Sequence, residues 1–156
     1  GTSRNCKERL AEWIAAARPD VVHFNCGLHD IAVDPGKTDN RVPIDEYERN
    51  LCDMAAWLRA NTCARLVWAR TTPVIFERHR AVKGFDRDDR DVQRYNAVAD
   101  RVMAEAGVPV NDLYRVIREA GVEQCLQPDG VHMTDRGNAA LASAVVAALD
   151  KAIQDA

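Results

Sequence analysis

An aspartate and a histidine stand three residues apart in the segment Asp129-Gly130-Val131-His132. At this spacing the Asp129 carboxylate can fold back and accept a hydrogen bond from one ring nitrogen of His132. That bond would fix the tautomer of the ring and leave the other nitrogen free as a general base. The same residues also suit a plain turn, in which Asp129 bonds the backbone and His132 caps a helix. The spacing thus allows either a catalytic pair or a structural turn.

A second polar segment, Gly27-Leu28-His29-Asp30, follows a short apolar run. Ligands of open parallel sheets bind at the carboxyl ends of the strands, so this segment and its histidine, His29, are candidates for a site. A loop histidine that only bonds the backbone would have the same sequence pattern. A metal site built from His29, Asp30 and His132 is a further alternative. Because no closely spaced ligand pair such as HExxH occurs, we do not expect a metal site.

The chain contains two serines, Ser3 and Ser143, and neither is in the position of a nucleophile. Ser143 lies in an alanine-rich helical stretch, where a small residue permits close packing. A nucleophilic serine should follow a buried strand, and no apolar run precedes Ser3. We therefore expect Ser143 to be structural and neither serine to be placed as a nucleophile.

Alternating helical and strand patterns surround these polar segments. Apolar residues at helical spacing predict helices, and short apolar runs predict strands. The predicted helices are 4–18, 43–60, 88–106, 113–120 and 134–153, and the predicted strands are 21–25, 65–69 and 108–110. The highly charged connection 70–86 is predicted to be a solvated loop rather than an anion site. This alternation predicts an α/β domain with a parallel sheet, whose ligand crevice lies at the carboxyl ends of the strands.

The first predicted strand, Val21-Val22-His23-Phe24-Asn25, is almost continuously apolar. Such runs are typical of strands that are covered on both sides in a parallel sheet. With three strands, however, this one lies at an edge, where its backbone groups would be unpaired. We therefore expect another segment to cover it.

These motifs resemble those of the SGNH (GDSL) hydrolases, a superfamily of α/β serine esterases. Asp129 and His132 resemble the last block of the superfamily, and Gly27-Leu28-His29-Asp30 resembles the third, in the form of a subgroup with histidine in place of the usual asparagine. Thr71-Thr72-Pro73 and Tyr95-Asn96 are also similar. The resemblance implies a three-layer α/β/α fold of the flavodoxin-like type with a parallel sheet. It also implies ester hydrolysis without a cofactor, with His132 as base, Asp129 as its partner and His29 in the oxyanion hole.

The superfamily's first block, Gly-Asp-Ser, which carries the nucleophile, has no match in the sequence. Gly1-Thr2-Ser3 instead resembles the end of the second block, because the segment from Gly1 to His29 has about the length that separates the second and third blocks. Gly1 is thereby the second candidate oxyanion donor. The resemblance implies that residues 1–156 are a single SGNH-hydrolase-like domain, truncated at its N-terminus and lacking its first strands. Such a chain would be inactive by itself, and a preceding segment or a second chain would cover its open edge.

Composition excludes several other partners. A net charge of −3 offers no basic face for nucleic acid. No apolar run is long enough to span a bilayer and the start of the chain lacks a signal-peptide core, so we expect a cytoplasmic protein without a membrane partner. Five widely spaced cysteines are expected to be reduced.

The expected partner is a small ester, and no loop sequence indicates which ester it is. A non-catalytic ligand-binding or assembly module derived from the same fold is the alternative. A nucleotide-binding domain is excluded, because no GxGxxG or Walker A sequence follows a strand.

Overall fold

A computed structural model describes residues 1–15 and 17–154. Ala16, within the predicted helix 4–18, and the last two residues of the predicted domain lie outside the described residues. The helices and strands are α1 (Ser3–Ala15), β1 (Val21–Phe24), α2 (Ile44–Asn61), β2 (Arg65–Ala69), α3 (Phe76–Val82), α4 (Asp89–Glu105), β3 (Val110–Asn111), α5 (Leu113–Ala120), α6 (Val122–Cys125) and α7 (Asp135–Gln154). In these two ranges no helix combines the length and the apolar character needed to cross a membrane.

The three strands form one parallel sheet, as predicted, in the order β1-β2-β3. The β1–β2 pairing starts with Val21 opposite Arg65, and the β2–β3 pairing includes Ala69 opposite Asn111. Within the described residues β1 pairs only with β2 and is therefore an edge strand. The carboxyl ends of β1 and β2 lead into the segments that carry Gly27 and Thr71.

Helices cover both faces of the sheet, which confirms the three-layer architecture. The helices α2 and α4 pack on each other, and their buried side chains join one core with alternate residues of β1 and β2, including Val22, Leu66 and Trp68. The helix α7 contacts all three strands. Because side chains alternate along a strand, His23 lies on the opposite face from Val22. On the face that carries His23, the Asn111 side chain donates to the Ala144 carbonyl of α7, at 3.3 Å.

The helix α4 shows how local sequence produces these elements. Asp88 caps its first turn by accepting a hydrogen bond from the backbone N–H of Arg90, at 2.8 Å. Val92, Tyr95, Ala99 and other residues at helical spacing are buried. Because these signals are local, the predicted helix 88–106 agrees with α4 to within one residue at each end.

The prediction for residues 70–86 is wrong in one respect. This segment contains the helix α3, and His79 in that helix is fully buried. The charged residues around His79 give the segment no apolar pattern at helical spacing. The helix could not be predicted from the sequence, because its buried side depends on contacts with distant residues. The four-residue helix α6 is likewise absent from the sequence-based assignment. The strand β3 begins at Val110, and Pro109, which has no N–H, only accepts a bond from Trp68 N, at 2.9 Å.

Candidate active site

The side chains of Asp129 and His132 are in direct contact. Nδ1 of His132 lies 2.5 Å from Oδ2 of Asp129. The other carboxylate oxygen accepts hydrogen bonds from the backbone N–H groups of Val131 and His132, each at 3.0 Å. Because a carboxylate only accepts, the His132 proton lies on Nδ1, and Nε2 is the free basic nitrogen. The His132 side chain is 68% exposed whereas that of Asp129 is 18% exposed, so the imidazole is accessible and the carboxylate is shielded.

The pKa of Asp129 reflects these contacts. Burial of the carboxyl group raises its pKa, but the hydrogen bonds from the His132 ring and the two backbone N–H groups outweigh that effect and hold it well below the ordinary value. Asp129 therefore remains ionised at neutral pH. Its contribution to folding stability is fully present above the ordinary aspartate pKa and is lost as the pH falls toward the lowered native value.

The Asp–His loop, residues 127–133, is fixed against the start of α3. The backbone N–H of Ile75 donates to the Gly130 carbonyl at 2.9 Å. Gly130 has φ = +71°, and a Cβ atom there would lie 2.5 Å from the Ile75 carbonyl oxygen and 2.9 Å from Cβ of Arg78. Because neither neighbour can move without displacing backbone, position 130 requires glycine for both its conformation and its close packing.

Replacing Gly130 by alanine is therefore expected to lower the free energy of unfolding by roughly 2–5 kcal/mol, since the left-handed backbone costs about 1–2 kcal/mol and crowding adds about 1–3 kcal/mol. Gly36 is a matched control, because its φ is +73° and a Cβ atom there would meet nothing within 4 Å. Gly36→Ala should lower the free energy of unfolding only by the cost of the left-handed backbone, about 1–2 kcal/mol. Urea unfolding of both variants measures the difference, and equal losses would contradict a tightly packed Asp–His loop.

His29 lies on the segment after β1, beside a buried arginine. Nη2 of Arg87 lies 3.5 Å from Nδ1 of His29, and Nη1 lies 3.4 Å from Nε2 of His79. Arg87 is only 6% exposed. Burial, the Gly1 ammonium, Arg87 and Arg41 together lower the pKa of His29 below the ordinary histidine value, so its ring is neutral at neutral pH.

Contacts through α3 connect His29 to the Asp–His loop. A Cβ at Gly130 would lie 3.1 Å from the backbone nitrogen of His79, so the loop packs directly on this helix. His79 in turn contacts Arg87, which contacts His29. Sequence reasoning missed the contacts of His79 and Arg87, because a buried arginine and a surface arginine look alike in a charged segment. The excess of basic residues in 70–87 was the signal that could have pointed to them.

The N-terminal segment is anchored beside His29. The backbone N–H of Ser3 donates to both carboxylate oxygens of the buried Asp30, at 2.8 and 3.0 Å. Oγ of Ser3 accepts a hydrogen bond from Asn50 at 3.1 Å, and Ser3 is fully buried. Asp30, the residue that follows His29, thus holds Ser3 in place. Gly1 is two residues before Ser3 in the chain. Ser143 lies on α7, where its hydroxyl donates to the Ala139 carbonyl at 3.0 Å.

A parallel sheet between helical layers, with an Asp–His pair on the loop before the last helix, is a three-layer α/β architecture. The chain belongs to the GDSL-like Lipase/Acylhydrolase family, whose model matches residues 1–140. The resemblance predicted from its motifs is thereby confirmed.

Individual relatives agree with this assignment. The chain is 27% identical over 143 residues to the mouse isoamyl acetate-hydrolyzing esterase 1 homolog, and the match covers 86% of this chain and 57% of that protein. Its fold is similar to that of a lipase/acylhydrolase from Enterococcus faecalis, with a TM-score of 0.79, 21% identity, and coverage of 96% of this chain and 70% of the other. A catalytic mutant of an acetylxylan esterase from Geobacillus stearothermophilus, with alanine in place of a serine, gives a TM-score of 0.72, 22% identity, and coverage of 94% and 66%.

Proposed function

We propose that the protein containing this chain hydrolyses small esters by acyl transfer to a serine. The observation that carries the proposal is the contact between Nδ1 of His132 and Oδ2 of Asp129, which leaves Nε2 of His132 unprotonated and accessible. Membership of a lipase and acylhydrolase family supports ester hydrolysis. No cofactor or metal takes part in the proposed reaction.

In this mechanism Nε2 of His132 removes the proton from the serine hydroxyl as its oxygen attacks the ester carbonyl carbon. Asp129 orients the ring and stabilises the imidazolium that forms. The N–H groups of His29 and Gly1 donate to the oxyanion of the tetrahedral intermediate. Collapse of the intermediate expels the alcohol, which takes its proton from His132. Water then attacks the acyl-enzyme in the same way and releases the carboxylic acid.

The nucleophilic serine is proposed to lie in a segment that precedes residue 1. Ser3 is buried and Ser143 is bonded within α7, so neither hydroxyl is free to react with His132. In the G. stearothermophilus relative the catalytic mutant replaces a serine, which supports serine chemistry. The chain also spans 57% of the mouse relative, and β1 is an edge strand within the described residues. Residues 1–156 would then be one domain that lacks its first strands and is inactive alone.

The occupied hydroxyls of Ser3 and Ser143 also favour a second candidate function. Without a nucleophile, the same site would bind a ligand, or the β1 edge would pair with another chain. Hydrolysis by a form of the protein that includes the preceding segment separates the two candidates. Activity supports the esterase, and its absence supports the binding module.

The role of Asp129 provides a test within that longer protein. Asp129→Asn is expected to lower kcat for p-nitrophenyl acetate by on the order of 10³–10⁴-fold, because the amide nitrogen donates and the ring then carries its proton on Nε2. The asparagine Oδ1 can still accept the two backbone bonds, so the loop should stay folded. Asp135→Asn, an equal charge change at an exposed site at the start of α7, is the control. Similar kcat values for both variants would contradict the assignment of Asp129.

A further inference from the structure

Arg87 is a buried cation, and its pKa is lowered by burial and by Arg41 while Asp129 acts in the opposite direction. In residues 1–15 and 17–154 its guanidinium makes no ion pair, and its polar contacts are the ring nitrogens of His29 and His79. Nε of Arg87 and Nδ1 of His79 are both buried without a hydrogen-bond partner. Burying an unpaired charge is costly, so the position of Arg87 calls for a role other than stability.

The chemistry of the guanidinium determines the state of both rings. Arginine has only donors, so each ring nitrogen that it contacts must be an acceptor. Nδ1 of His29 is therefore unprotonated, and its proton lies on Nε2. By the same reasoning Nε2 of His79 is unprotonated, and its proton lies on Nδ1. Arg87 thus holds two neutral histidines in opposite tautomers.

We propose that Arg87 is the positioning residue of the oxyanion hole, which holds His29 as the Nε2–H tautomer with that N–H directed away from the guanidinium. The proposal rests on the proposed function, in which His29 donates to the oxyanion. An oxyanion donor is effective only when its N–H is fixed before the reaction. A free imidazole would rotate and exchange its tautomers, whereas the contact with Arg87 selects one.

The surroundings of Arg87 and His29 support this role. The Phe85 ring contacts two guanidinium groups, with Cζ of Arg87 at 4.9 Å and Cζ of Arg41 at 4.5 Å from its centroid. These cation–π contacts hold Arg87 without neutralising it. The charged groups that act on His29 are the Gly1 ammonium, Arg87 and Arg41, and all three oppose protonation of the ring. Arg41 is itself paired with Asp34, at 2.5 Å.

The other histidines make the prediction specific. Asp129 fixes His132 as the Nδ1–H tautomer. Nδ2 of Asn111 lies 3.2 Å from Nε2 of His23 and 3.3 Å from the Ala144 carbonyl, so the amide nitrogen donates and His23 is also Nδ1–H. The chain has four histidines. Of these, His29 alone is expected to carry its proton on Nε2.

Long-range ¹H–¹⁵N NMR spectra of the ¹⁵N-labelled 156-residue chain test the proposal without any need for activity. The unmodified chain should show a protonated Nε2 and an unprotonated Nδ1 for His29, and the reverse for the other three rings. In Arg87→Met, a similar-length apolar replacement, His29 should lose its single tautomer and its pKa should rise. Arg41→Met removes a nearby cation that does not contact the ring, so it should raise the pKa while the tautomer is retained.

Unchanged His132 and His23 signals verify that the Arg87→Met chain is folded. Should that variant not fold, the unmodified chain decides, because a His29 proton on Nδ1 overturns the proposal. An unchanged His29 tautomer in folded Arg87→Met overturns it as well.

Kinetics of the longer protein separate this proposal from the proposed function. His29→Ala should lower kcat by roughly 10²–10³-fold, as loss of an oxyanion donor does, and Arg87→Met should lower it by about tenfold with little change in KM. If His29→Ala leaves kcat unchanged while the NMR result holds, the oxyanion role fails but the tautomer assignment stands. If His29→Ala lowers kcat and Arg87→Met does not, the positioning role fails and the oxyanion role stands.

Discussion

Replacing His132 by alanine is expected to lower kcat for p-nitrophenyl acetate by on the order of 10⁵-fold or more in a protein that includes the proposed serine segment. Loss of the ring removes the base for the serine proton and the acid for the departing alcohol. The oxyanion donors remain, but the serine hydroxyl that attacks the ester is no longer activated. Of the substitutions considered, this one should have the largest effect on kcat.

Folding is not expected to account for that loss. The His132 side chain is 68% exposed, so its removal leaves no cavity in the core. The thermal midpoint should therefore change little, and imidazole added to the buffer should restore part of the activity. A loss of less than tenfold in kcat would show that His132 is not the base.

The second large effect concerns the nucleophile. The 156-residue chain alone is expected to show negligible hydrolysis of p-nitrophenyl acetate, because a general base without a nucleophile retains little of its effect. Adding the preceding segment should raise the rate by a factor comparable to that lost in His132→Ala. Steady-state rates of both forms at equal protein concentration provide the measurement.

A serine-to-alanine change in the added segment is the matched control for that comparison. The longer protein with this change should still cover the edge of β1 but should not hydrolyse the ester, because the strand is present and the hydroxyl is absent. Equal hydrolysis by the 156-residue chain and the longer protein would contradict a nucleophile outside residues 1–156.

The sequence predicted the sheet and most of the helices because their signals are local. The apolar runs of β1 and β2 and the helical spacing of α2 and α4 arise from neighbouring residues, and the structure places these elements within two residues of the predicted bounds. The Asp129–His132 contact is also local, since three residues separate its partners. Such features can be inferred from spacing alone.

The surroundings of His29 could not be predicted in this way. Arg87 is 58 positions from His29 in the sequence, and their contact depends on the fold of the entire segment between them. His79 is buried because α3 packs under the Asp–His loop, which follows about fifty residues later in the chain. Charged residues normally indicate exposure, so the pattern favoured a solvated loop. The hydrogen bonds between the Ser3 backbone N–H and the Asp30 carboxylate also join residues far apart in the sequence. They explain why a serine near the start of the chain is buried.

Labelling with a fluorophosphonate probe, followed by peptide mass spectrometry, tests whether the proposed base, His132, activates a serine and identifies that serine. The 156-residue chain should remain unlabelled. The longer protein should be labelled stoichiometrically at a serine upstream of Gly1, and His132→Ala should abolish that labelling. Stoichiometric labelling of the 156-residue chain at Ser3 would contradict this mechanism and would make Gly1-Thr2-Ser3 the nucleophile motif.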